Sequence, residues 1–346
     1  MPTPSDRVIN LSQLGGIERY TLDDGPGRGV RALCINTGAG LRYRVLVDRG
    51  LDIDHAFFNA HSLTYLTHNS PVSPSRAYDP GLNWLQSFSA GLLTSCGPSS
   101  VGPPATDQNE QLGLHGTHSN TPASIESIIE PTLDNPVMSI VGNLRYGALY
   151  GPNLNLRRTI SSRLGENKIS IEDHFHNQSN TTVPHAWLLH INFGYPLLDE
   201  GSNLCIDCPT PQGVNADSET FFQGNWKHLT APREDCRGEH SFVGYCTPRP
   251  TRPDGSTTVA ILNPKLSLAV AIHYNTKEFP RLVNWQHLAP GEYVTALEPA
   301  NGTVDGRDKD RANGRLDFIP AGATKTYRYE LEVLHTPAQL QTLPRT

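Results

Sequence analysis

Apolar and polar residues alternate at period two along the whole chain, most clearly over residues 41–47, 168–175 and 326–333. In the last of these, Tyr327, Tyr329, Leu331 and Val333 fall on one face and Arg328, Glu330 and Glu332 on the other. Successive side chains of an extended strand point to opposite sides, so this is the pattern of a strand with one packed face and one wet face. Residues 259–262 and 266–274, separated by Asn263-Pro264-Lys265, predict a hairpin, because proline fixes φ and asparagine favours turns. Helical periodicity is weak, and only residues 82–88 and 337–343 read as short helices of about two turns each. The predicted fold is therefore all-β, with large antiparallel sheets.

Composition agrees with this reading. The chain has 30 glycines and 28 prolines, which punctuate it too often for long helices. Apolar residues make up 37% and charged residues 18%, enough to build a core and too little charge for a disordered chain. No composition shift and no internal repeat divides the 346 residues. The Pro/Ser/Gly-rich stretch 95–106 reads as a long loop over one large sheet rather than as a linker, so residues 1–346 are expected to form a single domain.

Charge and cysteine usage exclude some functions. Asp and Glu (34) outnumber Lys and Arg (28), and no basic stripe is present to follow a phosphate backbone, which argues against nucleic acid. Residues 1–11 have no apolar core of signal-peptide length, and no stretch approaches the roughly 20 apolar residues of a membrane span. The expected location is cytoplasmic, with no membrane partner. The six cysteines are expected to be reduced and structural in a chain of this size. Cys205 and Cys208 have CxxC spacing but no second close pair, which fits a buried turn better than zinc or redox work.

Three segments carry chemistry. The first, residues 112–120, places His115 and His118 among glycines in a polar loop, where side chains commonly reach a cleft; a surface loop that happens to contain histidine is the plain alternative. The second, residues 184–196, sets His190 and Asn192 two apart in an apolar strand. A lone histidine there would more often be a satisfied core residue, but two polar side chains on one strand face need partners or solvent. The third, residues 294–302, ends an apolar run on Glu298 just before Pro299, and a buried carboxylate must meet a cation, a histidine or a ligand hydroxyl.

In that order, Leu114-His115-Gly116-Thr117, Leu189-His190-Ile191-Asn192-Phe193-Gly194-Tyr195 and Leu297-Glu298-Pro299 resemble the aldose 1-epimerase (galactose mutarotase-like) superfamily. Residues 47–53 and 91–97 are similar to an epimerase-like branch described only as a family of unknown function. The resemblance implies a β-supersandwich in which Glu298 is the general base, His190 the acid and His115 a hydrogen-bond donor, interconverting sugar anomers without an organic cofactor. The implied partner is a small sugar or sugar derivative, and the implied assembly a monomer or homodimer.

The sequence departs from mutarotases at Leu189 and Gly194, where they carry asparagine. Their substrate-binding arginine and aspartate have no clear counterpart. Asp48, Arg49, His118, Asn192, His240 beside Glu239, and the Trp285-Gln286 pair are the candidates for substrate binding. Two alternatives stay open. One is a divalent-metal lyase or isomerase of a modified, for example oxidised, sugar, with His115, His118, His190 and Glu298 as ligands. The other is a sugar sensor without catalysis.

Overall fold

The computed structural model describes residues 6–344; the first five residues of the segment read above for a signal peptide lie outside it. Strands dominate, gathered in three large antiparallel sheets. The first is a five-stranded meander running in chain order from Gly16–Thr21 to His61–Ser62. The second has eight strands, with Lys168–Asn177 and Thr324–Leu334 side by side at its centre. The third has six, in the spatial order Gln212–Gly213, Phe242–Cys246, Arg281–Ala289, Glu292–Ala300, Leu188–Phe193 and Thr94–Cys96.

The period-two segments become strands as expected. Lys168–Asn177 alternates half-buried and buried positions without a break, so Ile169, Ile171 and Phe175 enter the core. The hairpin forms between Ser256–Asn263 and Leu268–Asn275, with Asn263 opposite Leu268. One hydrophobic core draws on all three sheets, from Ile17, Leu33 and Val45 through Ile171 and Phe175 to Phe193, Leu297 and Tyr329.

Asp173 also points into this core, where it is paired with Arg158 at 2.7 and 2.9 Å, both side chains fully buried. Arg158 donates further to Asp52 Oδ1 (3.1 Å) and Ser95 Oγ (2.9 Å). Ser95 lies in the strand Thr94–Cys96, which pairs with Leu188–His190. A satisfied buried charge network thus anchors the edge of the six-stranded sheet that carries His190.

The expected helices shrink to Trp84–Ser87 and Pro337–Leu340. Two others, Ala216–Phe222 and Arg307–Ala312, were not visible in the sequence, because each is less than two turns and shows little periodicity. Nor is residues 95–106 all loop: Thr94–Cys96 and Ala105–Asp107 are strands at either end of it. All six cysteines are free; Cys205 ends a strand and Cys208 follows it half-buried. Among the described residues no helix is long and apolar enough to cross a membrane.

Candidate active site

The register of the six-stranded sheet brings the central pair together. Leu188 lies opposite Ala300 and Ile191 opposite Leu297, which sets His190 opposite Glu298 on adjacent antiparallel strands. On its other side Glu298 faces Val283. Opposed residues on one sheet face hold their Cβ atoms about 5 Å apart, and here His190 Nε2 lies 3.3 Å from Glu298 Oε1. Both are buried, and Glu298 Oε1 and His190 Nδ1 have no hydrogen-bond partner.

His115 arrives from a loop. Its backbone takes φ of 56° and Gly116 follows at 76°, a left-handed pair of residues that turns the chain sharply. A Cβ on Gly116 would meet the carbonyl oxygens of Gly97 (2.4 Å) and Ser100 (2.7 Å), so only glycine fits there. The Gly97 amide donates to the His115 carbonyl and the His115 amide to the Gly102 carbonyl, both at 3.0 Å. The Gly102 amide donates to His115 Nδ1 at 3.5 Å. With Nδ1 accepting, the neutral ring carries its proton on Nε2 as a donor.

The three groups share a cleft of about 530 Å³ whose other walls are largely apolar, including Tyr65, Trp84, Phe88, Leu114, Val243 and Trp285. Aromatic rings enclose the polar ones: Trp84 stacks on Phe88 (4.5 Å) and lies 4.8 Å from the His115 ring. His190 has Phe88 and Trp285 on either side at 5.4 Å and His115 at 6.0 Å. In such surroundings charge is poorly solvated. Burial pushes the Glu298 carboxyl well above its usual range. Burial, with His115 nearby, lowers His190 to about 3, while Asn192 opposes the shift. Burial alone lowers His115 to about 4.

Of the remaining candidates only Trp285 lines the cleft. Gln286, one residue on, faces the other side of the sheet and donates to the Trp226 carbonyl (3.0 Å) and Asn284 Oδ1 (2.9 Å). Asn192 is buried, donating to the carbonyls of Gly91 (3.0 Å) and His190 (2.9 Å). Asp48 binds the Arg31 guanidinium and amide. Arg49 sits behind the cleft, donating to Asn120 and to the Ser87 carbonyl (2.8 Å), and so ties the Trp84 helix to the loop that follows His115.

His118 turns the opposite way from His115, into the core. There it contacts the Tyr146 hydroxyl, packs edge-on against Trp187 at 4.8 Å and lies 3.5 Å from Asp52. The set His115, His118, His190 and Glu298 is therefore not assembled, and among the described residues no group of three or more His, Cys, Asp or Glu side chains is arranged to hold a metal ion. His240 bonds the Asp235 carbonyl at 2.6 Å and packs on Phe242, whereas its neighbour Glu239 lines the cleft.

Sequence reading missed Tyr65, Trp84, Phe88, His287 and Glu292 as cleft residues. His287 had a signal, since it stands two residues after Trp285 in a strand and so shares its face. A larger depression of about 820 Å³ lies on the outer face of the eight-stranded sheet. Its charges pair with one another, as in Lys168–Glu330 (3.1 Å), His273–Glu332 (3.1 Å) and Arg328–Glu172 (2.6 Å), the arrangement of a solvated sheet face.

A family described as a domain of unknown function, DUF4432, matches residues 27–333, and the chain belongs to that family. No curated protein matches it in sequence. A Klebsiella pneumoniae structure provisionally named an aldose 1-epimerase superposes with a TM-score of 0.88 at 22% identity, covering 98% of this chain and 91% of that one. A galactose mutarotase-like protein of Clostridium acetobutylicum follows at 0.65 and 10% identity, covering 92% and 98%. A galactose mutarotase related enzyme of Lactobacillus acidophilus gives 0.61 at 13% identity, covering 92% and 99%. At these identities the likeness establishes the fold, a galactose mutarotase-like arrangement of antiparallel sheets.

Proposed function

We propose that the cleft interconverts the anomers of a sugar by acid/base ring opening, as an aldose 1-epimerase does. The observation that carries this reading is the facing pair His190 and Glu298, 3.3 Å apart and buried in an aromatic cleft beside His115. A sugar hydroxyl alone could satisfy the unpartnered Glu298 oxygen; the imidazole set opposite it adds the acid that ring opening needs beside a base.

Ring opening moves one proton onto a base and one off an acid. Glu298 takes the proton of the anomeric hydroxyl as the C1–O5 bond breaks, and His190 delivers one to the ring oxygen. His115, with Nε2–H as donor, stabilises charge developing on that oxygen. The open aldehyde rotates about C1–C2, and the reverse transfers close the ring on the other face. Glu298 and His190 hold one proton between them. Burial keeps that proton on Glu298 in the empty cleft; hydroxyls of a bound sugar donating to the carboxylate shift it to His190 Nε2, 3.3 Å away, which arms both groups for the forward step.

No cofactor enters this mechanism, and the partner it requires is a small sugar. Polarimetry on freshly dissolved single anomers of several aldoses tests it. Catalysed approach to the equilibrium rotation is expected for at least one of them. Identical traces with and without the protein across the panel would sink the reading.

A further inference from the structure

The cleft contains a second histidine–carboxylate pair that this mechanism does not use. His287 Nε2 lies 3.4 Å from Glu292 Oε2, and its Nδ1 lies 3.1 Å from the His240 carbonyl. Both residues line the same cleft as Glu298. Trp285 stands between the pairs, its ring edge-to-face with His190 at 5.4 Å and parallel to His287 at 6.2 Å (3° between planes).

Strand geometry gives the separation. His190 is in register with Glu298, and His287 is opposite Val294 on the same strand. The four residue steps from Glu298 to Val294 correspond to roughly 13 Å of extended backbone, and the six from Glu298 to Glu292 to roughly 20 Å. A single six-membered sugar ring is shorter than either span. A ring placed for chemistry at Glu298 therefore leaves the stretch of strand toward Glu292 uncovered.

Charge narrows the ligand further. Among the described residues lining the cleft there is no Lys or Arg, while Glu239, Glu292 and Glu298 are all present. The nearby arginines are engaged: Arg233 with Asp235 at 2.6 Å and Arg237 with Glu234 at 2.6 Å. A phosphate or carboxylate in the cleft would face Glu239 and Glu292 with no Lys or Arg to offset them, whereas hydroxyls would find acceptors and the Trp285 face a sugar ring to pack against.

Taking the anomer-interconverting reading as its basis, we infer that Trp285, His287 and Glu292 form a second subsite, which holds an uncharged sugar ring joined to the reacting one. The substrate is then a neutral reducing disaccharide or a longer saccharide, with its reducing end at His190 and Glu298.

Calorimetric titration separates this inference from the catalytic reading, because binding is measured without turnover. The probes are maltose, cellobiose and lactose, their reducing-end monosaccharide glucose, and cellobiouronic acid. The wild type is expected to bind at least one neutral disaccharide roughly tenfold or more tightly than glucose, and to bind the uronic acid less well than cellobiose. Trp285→Ala and the near-isosteric Glu292→Gln should each shrink the disaccharide advantage. Equal affinity for glucose and all three disaccharides, or an advantage unchanged in both folded variants, would overturn the inference. Tight disaccharide binding with no anomerisation would uphold the subsite and remove the catalytic reading instead.

Discussion

His190 and Glu298 face each other across two adjacent antiparallel strands, Nε2 to Oε1 at 3.3 Å. Their proximity is a property of sheet register rather than of a loop, so it is set as firmly as the strands themselves. The surrounding apolar walls raise the proton affinity of one partner and lower that of the other.

That shift has a measurable sign. Above the ordinary carboxyl value of about 4.5, the unfolded chain releases the Glu298 proton while the folded protein retains it, so this residue makes stability fall as pH rises. Glu298→Gln removes the effect. The stability of the variant relative to wild type should therefore increase from pH 4.5 upward, by at most about 1.4 kcal/mol per pH unit. Urea unfolding at pH 5, 6 and 7 reads this directly, and a difference that stays constant with pH contradicts it.

The histidines act in the opposite sense. His115 is lowered to about 4 and His190 to about 3, so the unfolded chain binds their protons first as pH falls. Their contribution is complete above about 6.5 and is lost progressively toward pH 4 and 3. In NMR titration neither ring should show an inflection near 6.5. A midpoint there for either would contradict the apolar character of the cleft.

Sheet architecture and the central trio were legible in the sequence. Period-two alternation exposed strands such as Lys168–Asn177, and the order of the His115, His190 and Glu298 segments pointed to a common site. Side chains serving the scaffold were not separable from those serving the cleft. His118 looks like His115 in sequence, yet the left-handed turn at His115 and Gly116 sends it into the core to meet Tyr146 and Asp52. Asp48 and Arg49 have the chemistry of ligand-binding residues, but Arg31, Asn120 and the Ser87 carbonyl already use it. Trp84 and Phe88 went unassigned because the contact of a four-residue helix and the residue that ends it with distant segments leaves no periodic trace.

The charge network behind the site should govern folding rather than chemistry. Asp173→Leu leaves the Arg158 guanidinium buried without its bidentate partner, and the expected loss is about 3–5 kcal/mol. Chemical denaturation measures it, and a loss below about 1 kcal/mol would show that Arg158 is compensated by other groups.

Metal removal bears on the ligand set that the fold does not assemble. Since the proposed transfers use only side chains, anomerisation should survive dialysis against a chelator. Activity that disappears and returns with a divalent ion would instead point to a metal-assisted reaction.

The central claim is that Glu298 is the general base. Polarimetry on wild type and Glu298→Gln, with folding verified by circular dichroism and sugar affinity by calorimetry, tests it most directly. Replacing the carboxyl by an amide of nearly equal volume removes the proton acceptor, so the anomerisation rate should fall roughly 10²-fold to 10⁴-fold. Affinity should change by no more than one charged hydrogen bond, about 1.5–3 kcal/mol. An unchanged rate in the folded variant would contradict the account.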